Sequence, residues 1–350
     1  MSRTPAGRRR LETKAPAGYD LPTRLPRLAS AQLAHWLMIA TVVAGGIGTA
    51  LSATSVIATG APEWVARPGA ALLLVVLSAG LTHRGGGHLR IWTVAAALLA
   101  VLALVTERNL LLAAASATTA ILAAVLAVVI TRPAERWWEA LRELAISLVV
   151  AASGTAAVAA WNAPVNFQRF NLVVIAAALA LAIMFVWNLG AGLHGLGKQN
   201  LALIAGIAAA LVVFLAYSSF VRTHGSEVIV ENFTAAVIWM RETFGGIPRP
   251  VEVLIGFPAL VVGVSVRARR REGWWVLVFA VLGTAVLTTS LVDPNAYPSY
   301  IALSTVYSVV LGAIVGLVIR PYFGPSHSRR AARAIYDEIR EEPRRIAPLK

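Results

Sequence analysis

Ten apolar stretches, separated by short polar or charged breaks, run along this chain of 350 residues. A helix needs about 20 mainly apolar residues to cross a bilayer. The pattern predicts spans at about Leu33–Ala53, Gly69–Thr82, Ile91–Thr106, Leu110–Thr131 and Leu144–Trp161. A second five follow at about Leu172–His194, Leu201–Phe220, Val251–Val266, Trp274–Val292 and Tyr300–Ile319. The expected fold class is an all-α transmembrane bundle of about ten spans. The second and third spans are short. They can also be read as a re-entrant hairpin, tolerated where protein shields it, which leaves eight true spans.

The organisation follows from the same pattern. Residues 1–30 form a basic tail and 31–320 the bundle, while 321–350 form a second tail with a short helix over Ser328–Glu342. An amphipathic helix is expected at 227–244, outside the bundle. Ser226 caps it, Gly245-Gly246 ends it, and Ile229, Phe233, Ala236, Val237, Met240 and Phe244 recur at helical spacing. Thr131 and Pro133 read as the N-cap and first turn of an interfacial segment leading into the fifth span.

Composition agrees: 58% of residues are hydrophobic and 14% charged, with a mean hydropathy of +0.71. Such a chain is neither an ordinary soluble domain nor a disordered one. Cysteine is absent, which excludes thiolate chemistry and Cys-based metal, haem or iron–sulfur sites. The bias toward Ala, Val, Leu and Arg is that of proteins from GC-rich bacteria.

The net charge of +14 gains meaning once it is placed on the spans. With both termini inside, 25 of the 31 Lys and Arg fall in inner segments, and 6 fall outside. This is the positive-inside bias. It predicts a multi-pass protein of the inner (plasma) membrane with both ends cytoplasmic, and it removes the nucleic-acid reading of a pI near 11.2. Nine of the ten tryptophans fall at predicted membrane interfaces, Trp187 being the exception.

Charge inside the spans would mark chemistry, and the reading places none there. Glu252 is assigned to the outer edge of the eighth span. Uncharged groups remain as substrate-path candidates: Gly45, Gly46 and Gly48 in the first span, Asn188 and His194 in the sixth, and Thr284, Thr288, Ser304 and Tyr307 in the last two. Glycine interruptions in corresponding helices of two inverted halves point to transporter sites. The stripe Ser304, Ser308, Gly312 and Gly316, and its counterpart Ala44, Gly48 and Ser52, suit close helix packing. That packing is internal or at a homodimer face. His224, Glu227 and Glu231 form a weak metal-ligand spacing; no metal and no cofactor is expected.

Hydrolase, metalloprotease and phosphate-loop motifs are missing from the sequence. The leading function is therefore a permease-like or translocation-related protein for a small or amphiphilic substrate. A membrane enzyme or accessory subunit of envelope lipid or glycan synthesis is one alternative. A non-catalytic scaffold with a partner-binding tail is the other. The expected partners are the bilayer and either further copies of the chain or another membrane protein. A transporter would need a polar cavity near the midplane, expected between the first, sixth and tenth spans.

Overall fold

The computed structural model describes residues 27–57, 63–189, 235, 238–268, 273–293 and 297–323, together with positions 343, 345 and 347–349. The seventh span, the first half of the expected amphipathic helix and the tail helix lie outside the described residues.

The described chain is helical, with no strand. Six helices come first: α1 (Arg27–Ile57), α2 (Glu63–Gly85), α3 (Leu89–Thr106), α4 (Asn109–Val129), α5 (Trp137–Trp161) and α6 (Phe167–Asn188). After a helical piece at 238–244, a π-helical turn at Glu252–Gly256 runs into α7 (Phe257–Arg267). α8 (Gly273–Thr289) and α9 (Pro298–Ile319) complete the set. Residues up to Thr41 form one unit and Val42–Lys350 a second.

Seven of the described helices are long and apolar enough to cross a membrane. The second and third spans are among them, and both are longer than the hydropathy pattern suggested. α2 has 23 residues and α3 has 18, or about 34 and 27 Å at the helical rise. The polar residues that shortened α2 in the reading are inside the helix. One of them, Arg67, is held by Glu107 from the α3–α4 turn, with Nη1 to Oε1 at 3.0 Å.

α8 is only 17 residues long, yet nearly all of it is buried. It packs on α4, α5, α6 and α7. A helix that is apolar all round belongs inside a bundle. Outward faces are apolar too: Ile91, Val94, Leu98, Val101 and Val105 of α3 are all exposed, as a lipid-facing surface requires.

Contacts between helices rely on small residues and hydroxyls, because lipid offers no hydrophobic drive for them to associate. A Cβ on Gly154 would lie 2.2 Å from that of Ala123, and one on Gly256 2.4 Å from Cα of Gly283. Threonines add cross-links. Thr284 Oγ1 donates to Ala124 O (2.9 Å), Thr155 Oγ1 to Leu287 O (3.0 Å), and Thr289 Oγ1 to Asn171 Oδ1 (2.7 Å).

Two sequence readings are corrected here. Trp161 is not on the outer surface. It is fully buried and donates from Nε1 to Thr119 Oγ1 at 3.1 Å, because the end of α5 packs against α4. Thr131 does not cap α5 either. Its hydroxyl donates back to Val128 O at 2.7 Å, and residues 131–136 are non-helical with Arg136 as the N-cap.

Gly256 and Gly283 give the sharpest test of this packing. Gly256→Leu forces a side chain into backbone and is expected to destabilise by at least 1–3 kcal/mol, as overpacking of cores does. Thermal unfolding in detergent reads it; an unchanged midpoint would contradict the close approach of α7 and α8.

Candidate functional site

The sequence assigned 227–249 to the outer surface, but the structure takes the end of that segment into the bundle. The piece at 238–244 stops at Gly245, whose φ of +67° closes the last turn with its N–H on Arg241 O (3.0 Å). Residues 246–249 then run without helical structure, and helix resumes at 250. Their amides need partners, since lipid supplies none. Ser304 Oγ accepts from Ile247 N–H (3.0 Å) and Ser308 Oγ from Arg249 N–H (2.8 Å). Tyr307 O–H donates to Phe244 O at 2.9 Å. Gly246 makes the approach possible, because a Cβ there would lie 2.8 Å from Ser304 N.

Ser308 is ten residues into the 22-residue α9, about 15 Å from its start. The break therefore lies roughly halfway along a spanning helix. It carries an ion pair there: Arg249 Nη1 to Glu252 Oε1, 2.5 Å, with Glu252 fully buried. Glu252 is accordingly not an outer-edge residue, and the expectation of spans free of charge is corrected. Arg249 Nη2 is buried with no hydrogen-bond partner among the described residues, and the Glu252 carboxylate meets the Ser308 hydroxyl as well as Arg249. Glu252 also opens the π-helical turn, a feature often found at functional sites. The arrangement leaves one buried guanidinium donor, on the residue paired with Glu252, for water or a polar ligand.

A second polar centre lies at the end of the bundle where α2 and α4 finish and α5 begins. Glu143 is fully buried there. Arg345, from the tail, grips it with both arms, Nη1 to Oε2 at 2.6 Å and Nη2 to Oε1 at 2.7 Å. Arg132 N–H (2.8 Å) and Arg142 Nη2 (3.1 Å) donate to the same carboxylate. The free carbonyls ending α4 meet cations, which suits the negative end of the helix dipole. Arg84 reaches Val129 O, Arg345 reaches Ile130 O, and Arg267 reaches Thr131 O. Arg84 Nη1 also holds Ala347 O (2.6 Å), and Leu349 N–H returns to Arg84 O (2.9 Å). The tail is thus stitched to the bundle at three points.

Of the substrate-path candidates among the described residues, only Ser304 and Tyr307 meet the broken segment, together with Ser308. Gly48 packs α1 on Gly69 and Leu73 of α2, Gly45 faces Val76, and a Cβ on Gly46 would meet nothing. Asn188 Nδ2 is turned to its own helix at Met184 O. Thr284 and Thr288 are used in backbone bonds. Gly312 and Gly316 receive Phe257 and Val261, so the stripe on α9 packs internally. Between α4, α6 and α8 the remaining void is about 10 Å³ and lined by apolar side chains such as Val128, Phe185 and Val281. His194, His224, Glu227 and Glu231 lie outside the described residues. Among the described residues no group of three or more His, Asp or Glu could hold a metal ion.

The helices define a multi-pass helical membrane protein. No family model matches the chain, and neither a characterised protein nor a solved structure shows significant similarity to it.

The Glu143–Arg345 pair makes the tail part of the fold. Arg345→Ala leaves a buried carboxylate short of its main partner, and breaking such a pair costs about 3 kcal/mol. A lower thermal midpoint is expected, together with faster carboxypeptidase trimming of the tail. The double variant Glu143→Gln/Arg345→Gln is expected to lose less than the two single changes combined. Unaltered trimming in Arg345→Ala would show that the tail is not held there.

Proposed function

We propose that this chain is a permease-like or translocation-related protein of the bacterial plasma membrane, with both termini cytoplasmic. Its substrate is small or amphiphilic. The observation that carries the reading is the broken helix at 245–250, held at mid-depth by Ser304 and Ser308 and bearing the Arg249–Glu252 pair. Non-helical backbone at membrane depth occurs where it is shielded by protein or lines a water-filled cavity. In secondary transporters, discontinuous helices near the midplane supply the binding groups. Ionisable residues at that depth are functional by default. The path belongs along α7 and α9 on this reading, rather than between the first, sixth and tenth spans, since α1 and Asn188 contribute no groups to it.

A second reading, a membrane scaffold presenting its tail to a partner, is favoured by the latch of Arg345 on Glu143. Under that reading Arg345→Ala alters partner capture, while changes at Arg249 and Glu252 do not alter function. The reading as a membrane enzyme or accessory subunit gains no catalytic cluster among the described residues.

The Cys-free sequence makes both path and orientation testable. Ile247→Cys is expected to react with a small, membrane-impermeant thiol reagent in intact cells, and Thr284→Cys, fully buried, is not. Protection of Ile247→Cys from reagent applied to either membrane face would remove the permeation path.

For orientation, Arg108→Cys is expected to label from outside and Arg90→Cys only after permeabilisation. The reverse pattern would invert the topology. Gly273 is a poor site for such a label, because a Cβ there would lie 2.4 Å from Arg267 N.

A further inference from the structure

A groove of about 510 Å³ opens at the basic end, between the last turn of α9, α7 and the start of α5. Its walls include Trp137, Val266, Leu317, Pro321 and Phe323, and Arg320 lies among them. Arg320 follows the last apolar residue of α9, Ile319, and begins a short 3₁₀ turn. Its guanidinium is fixed by two neutral oxygens. Nε donates to Ser265 Oγ at 3.0 Å, and Nη2 donates to the backbone carbonyl of Glu135. Among the described residues no carboxylate forms an ion pair with it. Three other cations at this end are engaged differently: Arg142 and Arg345 pair with Glu143, and Arg267 lies 4.2 Å above the Trp274 ring. Arg320 is therefore an oriented cation with no ion pair among the described residues, in a groove lined by five apolar residues together with Ser265 and Glu135.

Depth identifies what such a groove takes. Ile314 and Val318, just above it on α9, are exposed and face lipid, and Trp137 is 58% exposed beside it. Tryptophan at that level marks the headgroup zone. A ligand there meets a cation at its polar end and apolar walls continuous with the lipid-facing side of α9.

We propose that this groove binds the headgroup of an anionic phospholipid. Arg320 holds the phosphate, and Leu317, Val266 and Phe323 receive the first methylenes of the acyl chains. The arrangement is more specific than the attraction of any basic surface for acidic lipid, because the guanidinium is positioned in advance. A planar guanidinium also presents parallel donors to phosphate oxygens. The exposed carboxylate of Glu135 opposes an anion and weakens the site.

The test is native mass spectrometry of the full chain, released from nanodiscs of equal phosphatidylglycerol and phosphatidylcholine. The expected result is one retained phosphatidylglycerol, favoured over phosphatidylcholine by about five-fold, the worth of one basic residue at an anionic membrane. Arg320→Gln is expected to abolish the preference. Val266→Phe, which fills the groove and keeps the cation, is expected to do the same, so a folding defect in one variant does not decide the matter. Glu135→Gln is expected to raise retention. Arg90→Gln, at the same end but outside the groove, is expected to leave it unchanged. Equal retention of the two lipids by the unaltered chain, or an intact preference in Arg320→Gln and Val266→Phe, would overturn the proposal. So would displacement of the lipid by millimolar inorganic phosphate, which would assign the site to a free anion.

Discussion

A peptide group surrounded by hydrocarbon has no water to bond to, and at residues 246–249 the fold must meet that constraint without a helix. The solution is geometric. Side groups four apart on a helix are separated by about 6 Å along its axis. In extended chain, residues two apart are separated by about 6.6 Å and lie on one side. Ser304 and Ser308 on α9 therefore match Ile247 and Arg249 almost one for one, at 3.0 and 2.8 Å. The same stripe continues through Gly312 and Gly316, where it changes from hydrogen bonding to close packing on Phe257 and Val261. A single four-residue repeat thus first binds broken backbone and then seats the helix that follows.

The basic end depends on a related constraint. A helix leaves its last carbonyls unpaired, and at the end of α4 these are covered by guanidinium groups from three distant parts of the chain: Arg84, Arg267 and Arg345. Positive charge at this end therefore has a structural part to play. It closes α4, and through Glu143 it binds the tail. Arg345, Ala347 and Leu349 consequently belong to the fold rather than to a solvated appendage.

How much of this was legible follows from how far apart the partners are. Helices α3 to α6 and α9 were readable because each is one continuous apolar run. The small-residue stripe on α9 was readable as a packing face, though its partner was not. The Glu143–Arg345 contact spans 202 positions, and no local pattern announces it. Placing Arg249 and Glu252 outside followed from counting charges by loop, which assumes that a polar loop stays in water. Gly245-Gly246 was seen as the end of a surface helix. The serines four apart on α9 were the missed signal, since two hydroxyls on one face of an apolar helix can serve backbone as well as side chains. Thr284 and Thr288 looked like path residues for the same chemical reason, but their hydroxyls are spent on carbonyls of neighbouring or local helix.

α8 stops at Thr289, which bonds Asn171 near the start of α6. Thr155 of α5 is level with Leu287, and α5 continues six residues to Trp161, about 9 Å farther. α8 continues only two residues to its end. α8 is buried on nearly all sides, so it need not match the thickness of the bilayer, whereas α5 and α9 expose apolar faces and must. The turn at Glu252–Gly256 packs against both α8 and α9. Charge there is screened from lipid by protein on both sides, which lowers the cost that a guanidinium and a carboxylate would carry on an isolated helix. The pair is tolerable there because Glu252 is fully buried in protein and its carboxylate is met by Arg249.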